Sequence, residues 1–247
     1  MAPEPVDIVP IVRESVAAIL RVHPLERKRG EKGPAKFGAA ISGSAFCVLE
    51  NRYLLTAHHV LGDGKTREAA DRFFAFTVPG NQRAAHFFPV TGFPLERPDL
   101  DLAVLEIGPC ATPGIGIPAL PVTDAEQADG TRVVTLGFPA PEIVRVNVDA
   151  QGNYQGGEFF LKSHANAGIV SAAYSIGEIP FYELSVGWHH GESGGPVATL
   201  ANPPAAFSLM QHYRNIRSPH GVMAGPHRGR ALAAIRSELE ALGVPVI

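Results

Sequence analysis

Gly191-Glu-Ser-Gly-Gly-Pro196 sets one serine among three glycines and a proline. A serine hydroxyl is a weak nucleophile. It acts only with a base beside it and with donors aimed at the charge that develops on the attacked carbonyl. Glycines on both sides let the backbone turn two N–H groups toward one point, which side chains would obstruct. The same string also suits a plain turn in a chain with 26 glycines and 22 prolines. The chemical reading therefore depends on partners elsewhere in the sequence.

Two stretches supply such partners. Leu54-Leu-Thr-Ala-His-His-Val60 is an apolar run entering a pair of histidines, and Pro98-Asp-Leu-Asp-Leu-Ala-Val-Leu-Glu-Ile107 places acidic residues directly before another apolar run. A histidine takes a serine proton near neutral pH, and a buried carboxylate holds its tautomer and stabilises the imidazolium. On residue type alone His58 competes with His59, and Asp99 with Asp101.

Around these stretches the chain reads as short apolar runs broken by turn residues. Runs at 45–49, 53–55, 73–78, 102–107, 132–136, 143–148, 159–162, 168–172, 181–186 and 207–213 alternate with Leu61-Gly-Asp-Gly64, Pro79-Gly-Asn81 and Ala128-Asp-Gly130. Many short strands at this spacing predict an all-β chain of barrels or sandwiches. Val12, Val16, Ile19 and Leu20 recur at helical spacing after Pro10, which predicts a short helix over about 10–22 that docks on the main domain or on a partner. The stretch 21–36, rich in charge, Gly and Pro, reads as a linker. Leu232, Ile235, Leu239 and Leu242, with Gly243 as a stop, predict a helix over about 229–242.

Thr56-Ala-His-His59, Asp101-Leu-Ala-Val-Leu105 and Gly191-Glu-Ser-Gly-Gly-Pro196 resemble the three active-site blocks of the chymotrypsin-like serine peptidases. The order matches, with His59 and Asp101 42 positions apart and Asp101 and Ser193 92 apart. The resemblance runs from Ser42 to the final helix. Gly168-Ile-Val-Ser-Ala172 and Asp129-Gly-Thr-Arg-Val-Val-Thr-Leu-Gly-Phe-Pro139 are similar to the bacterial HtrA-like branch. It implies two six-stranded antiparallel β-barrels, with a helix and linker at 1–36, the first barrel at 37–122, and the second barrel with the final helix at 123–247. It also implies roles. Ser193 is the nucleophile, and the N–H groups of Gly191 and Ser193 form an oxyanion hole. His59 is the base because the family's histidine stands three positions after the threonine. Asp101 is the orienting carboxylate because the family's aspartate directly precedes the Leu-Ala-Val-Leu strand.

In that family the side chain before the cut bond (P1) enters a pocket bounded here by Gly187-Trp-His-His190 and Leu209-Met-Gln-His-Tyr-Arg214. His212 stands where glutamate- and glutamine-specific relatives place a histidine, and Arg214 adds a cation. Trp188 and His190 complete the expected substrate-binding set, and the implied preference is for an acidic or glutamine P1. Departures are visible too. Glu192 replaces the aspartate that digestive members pair with a freshly cut N-terminus, Val60 replaces a cysteine, and a PDZ domain finds no room after the final helix.

The implied activity is a serine endopeptidase on protein or peptide substrates, working through an acyl-enzyme without cofactor. A catalytically silent or latent peptide-binding module, switched by a partner at the N-terminal helix, is the alternative. No metal is expected, because His189, His190 and Glu192 crowd one loop and cannot converge on a tetrahedral ion. A net charge of −3 argues against nucleic acid. No window nears the ~18 apolar residues of a membrane span. The start MAPEPVDIVP lacks a secretory pattern, and Cys47 and Cys110 read as reduced thiols, so the expected compartment is the cytoplasm.

Overall fold

The computed structural model describes residues 3–26, 35–62, 68–81, 84–177, 179–187, 189–218 and 221–247, with 212–218 and 221–224 described in backbone only. Two closed antiparallel barrels of six strands each form the chain, as the sequence leads one to expect. The first takes β1 (Val16–Pro24), β2 (Phe37–Leu49), β3 (Tyr53–Thr56), β4 (Arg72–Thr77), β5 (His86–Arg97) and β6 (Leu102–Ile107). The second takes β7 (Arg132–Gly137), β10 (His164–Ile176), β11 (Ile179–Leu184), β12 (Pro196–Thr199), β13 (Ala206–Ser218) and β14 (Gly221–Ala231). Between β7 and β10 a separate hairpin of β8 (Glu142–Val148) and β9 (Tyr154–Phe160) folds over the first barrel. Tyr154 and Phe159 bring their rings within 5.3 and 5.0 Å of Phe76, which buries aromatic area across the two halves.

The helix expected over 10–22 is corrected. The N-terminal helix α1 spans Pro5–Glu14 and carries Pro10 in its interior, while Val16–Pro24 is a strand paired with both β2 and β4. The reason is packing. Residues 16–20 are all buried, so no alternation marks them as a strand and the apolar run also satisfies a helical spacing, while a strand between two neighbours satisfies their backbone. Pro5 opens α1 with its fixed φ, and Asp7 reaches back to accept the Glu4 N–H at 3.1 Å. Ile8 and Val12 are buried, so α1 docks on its own chain. It also straps the barrels together. Glu4 pairs with Arg132 of β7, Arg13 donates to Ser163 Oγ, and the Gly80 N–H donates to Glu14.

At the other end Gly229–Ala231 still belongs to β14. A 3-10 turn at Leu232–Ile235 then leads into α2 (Arg236–Ala241). Gly243, with φ near 79°, stops it in the left-handed region as the sequence suggests.

Candidate active site

The three candidate catalytic side chains stand outside the strands, in the connections between them. β3 ends at Thr56, and a 3-10 turn at His58–Leu61 lifts His59 to the junction of the barrels. Asp101 directly precedes β6 with φ near 53°, in the left-handed region that aspartate enters more readily than most residues with a side chain. Gln211 on β13 braces it there. Its Nε2 donates to the Leu100 carbonyl at 2.9 Å and to the Asp101 carbonyl at 3.0 Å.

That backbone aims the Asp101 carboxylate at His59. Oδ1 accepts the His59 backbone N–H at 2.9 Å, and Oδ2 lies 2.9 Å from Nδ1. A carboxylate at Nδ1 places the ring proton there and leaves Nε2 as an acceptor. The competing residues face elsewhere: His58 Nε2 meets Glu96 at 3.6 Å, and Asp99 receives both Nε and Nη2 of Arg97.

Ser193 lies in the loop between β11 and β12 and is nearly buried. Its hydroxyl donates to the Gln211 carbonyl at 3.2 Å. One residue of β13 therefore touches both Ser193 and the backbone of Asp101. The Ser193 loop also has oriented N–H groups. The His190 carbonyl accepts from Ala140 N–H at 3.0 Å and the Glu192 carbonyl from Gly195 N–H at 3.0 Å. In a trans peptide the N–H points away from its carbonyl, so Gly191 N–H and Ser193 N–H face the opposite side. No group among the described residues accepts from either. Gly191 adopts φ near 101°, and a Cβ on Gly194 would strike the Ser44 carbonyl and the Thr56 hydroxyl, so both positions need glycine.

Glu192 turns inward. Its carboxylate accepts the His189 N–H at 2.7 Å and the Asn166 amide at 3.1 Å, while its own N–H donates to the His189 carbonyl at 3.1 Å. Burial pushes this carboxyl above its usual value, against the hydrogen bonds and the nearby His189 and His164 that favour its charge.

On the substrate side the picture is narrower. His212 and Arg214 lie on β13, with His212 opposite Arg228 in the ladder, but their side chains lie outside the described residues, as does Trp188. His190 is exposed one position before Gly191. Arg228 is held by Glu183 at 2.9 Å and lies over the Tyr174 ring. Sequence reasoning missed Gln211 and Asn166. The side chain of each matters only through a contact more than 25 positions away, which no local string announces.

A model of the trypsin-like peptidase domain matches residues 43–202. The chain belongs to the trypsin-like peptidase domain family. This trypsin-like chain is 28% identical over 180 residues to a probable periplasmic serine endoprotease, DegP-like, of Rhizobium meliloti (strain 1021), covering 70% of this chain and 29% of that protein. Among solved structures it is similar to the HtrA-type protease AlgW with decapeptide, at 16% identity and a TM-score of 0.62, covering 94% of this chain and 66% of that one. It is also similar to Deg5, at 14% identity and a TM-score of 0.58, covering 93% and 91%. The chain thus spans less than a third of the DegP-like relative. That relative is named as periplasmic, so it lends no support to the cytoplasmic expectation. No helix among the described residues is long and apolar enough to cross a membrane.

Proposed function

We propose that the chain is a serine endopeptidase that cuts proteins or peptides through an acyl-enzyme. The observation that carries this reading is the two-point hold of Asp101 on His59, with Gln211 bonded both to the Ser193 hydroxyl and to the Asp101 carbonyl and two outward N–H groups in the Ser193 loop. In the first step Ser193 Oγ leaves the Gln211 carbonyl, gives its proton to His59 Nε2 and bonds to the substrate carbonyl carbon. The carbonyl oxygen takes the negative charge and accepts from the N–H groups of Gly191 and Ser193. The imidazolium, balanced by Asp101, returns the proton to the leaving amine as the C–N bond breaks. Water then repeats the sequence on the acyl ester and releases the acid and the free serine.

An acidic or glutamine P1 remains the specificity we propose, on the position of His212 in β13 beside Arg214. One observation favours a latent form: the resting Ser193 hydroxyl donates to Gln211. A regulatory partner at α1 would meet its outer face, where Val6 and Ile11 are exposed.

A fluorophosphonate probe tests the activity. Labelling of the wild type but not of Ser193→Ala is expected, and no labelling under any condition would leave a binding module. Cleavage profiling on a peptide library tests the P1 preference. Large apolar or basic P1 residues would overturn it.

A further inference from the structure

Ser44, on β2 of the first barrel, is fully buried, yet all its polar groups are matched, its N–H and hydroxyl across the barrel junction. Its N–H donates to the Ser193 carbonyl at 2.7 Å. Its hydroxyl donates to the Gly191 carbonyl at 2.6 Å and accepts from Phe138 N–H at 2.9 Å. Its own carbonyl accepts the Thr56 hydroxyl at 2.6 Å. The direction of the hydroxyl proton is forced. Phe138 N–H can only donate, so the hydroxyl must give its single proton to Gly191.

The peptide held in this way joins Gly191 to Glu192. It lies between the two peptides whose N–H groups face the substrate side. Gly191 has no side chain to resist rotation of its flanking peptides. The second barrel's own bonds, from Ala140 N–H and Gly195 N–H, pin the carbonyls of His190 and Glu192, while the carbonyls of Gly191 and Ser193 are pinned from the first barrel. We propose that Ser44 is a positioning residue for the oxyanion loop: by holding the carbonyls of Gly191 and Ser193, the histidine-bearing barrel fixes the peptides next to the two N–H-bearing ones and limits how far those N–H groups can turn. This rests on the reading of Ser193 as nucleophile. Thr56, three positions before His59, extends the same chain of bonds to the strand that presents the base.

The test compares wild type, Ser44→Ala and Ser193→Ala as full chains. The probes are a fluorophosphonate, a fluorogenic peptide taken from the wild-type cleavage profile, and a peptide boronic acid as transition-state analogue. Removing an oxyanion donor outright costs ~10²–10³ in kcat. Loss of orientation alone is expected to cost Ser44→Ala roughly 10- to 100-fold in kcat with KM unchanged, and to weaken boronate binding by a similar factor. A merely structural role would lower the melting temperature without moving those two quantities together. Ser44→Cys fills the same space with a weak donor. If the alanine variant does not fold, the paired loss is expected from the cysteine variant. Wild-type kcat and boronate affinity in a folded variant overturn the inference while the nucleophile reading stands. A wild type that never labels removes the reading and the inference with it.

Discussion

Asp101 grips His59 twice, with one carboxylate oxygen on the backbone N–H and the other on ring Nδ1, both at 2.9 Å. The first bond fixes where the residue stands, and the second fixes its tautomer. Asp101→Asn keeps the shape but offers an amide N–H to Nδ1, which drives the ring proton to Nε2. The expected result is a fall in kcat of roughly 10⁴ with little change in KM. Steady-state kinetics check it, and a loss below about tenfold would remove Asp101 from the mechanism.

Gln211→Leu keeps the volume and deletes both donors. The carbonyls of Leu100 and Asp101 are then left unpaired, while the Gln211 Oε1, which has no partner among the described residues, is relieved. The net loss is about 1–3 kcal/mol. In a chain of this size that lowers the melting temperature by roughly 2–4 °C per kcal/mol. Asp101 also loses what holds its left-handed backbone, so kcat is expected to fall further than stability alone explains. Calorimetry alongside kinetics separates the two effects.

The raised Glu192 carboxyl has a defined effect on stability. A group that binds its proton more tightly when folded adds stability below the ordinary carboxylate range, and that stability is lost as pH climbs through the raised value. Glu192→Gln cannot ionise. Its melting temperature is expected to gain on the wild type as pH rises from about 4 to about 8, with the gap closing in acid. A gap that stays constant across this range would show that Glu192 titrates like an exposed carboxyl.

The two thiols should react unequally. Burial pushes the Cys47 thiol up to about 12, and its Sγ donates weakly to the carbonyls of Leu49 and Ile117. Cys110 is half-exposed. Mass spectrometry after iodoacetamide at neutral pH is expected to find one adduct, on Cys110. Adduct on Cys47 in the folded chain would contradict its burial.

The barrels and the three blocks of the site were legible because each block is local: a histidine three positions after a threonine, an aspartate against an apolar strand, a serine among glycines. What escaped the sequence depends on distant contacts or mixed signals. β1 shows no alternation because its residues 16–20 are buried on both faces. β5 hides behind Pro89, Gly92 and Pro94, where its ladder shifts register. Gln211 and Asn166 look like ordinary strand residues until the barrels are docked. His59 was separable from His58, and Asp101 from Asp99, only through the family pattern, since residue type is the same in both pairs.

The Gln211 bonds to Leu100 and Asp101 join points 111 and 110 positions apart along the chain. A ribosome delivers His59 and Asp101 well before it delivers the residue that steadies them. On the reading proposed for this site, the growing chain carries an unfinished blade that spares its neighbours until the second barrel closes. Arming then waits on the closure of the second barrel, not on the delivery of the base and its carboxylate.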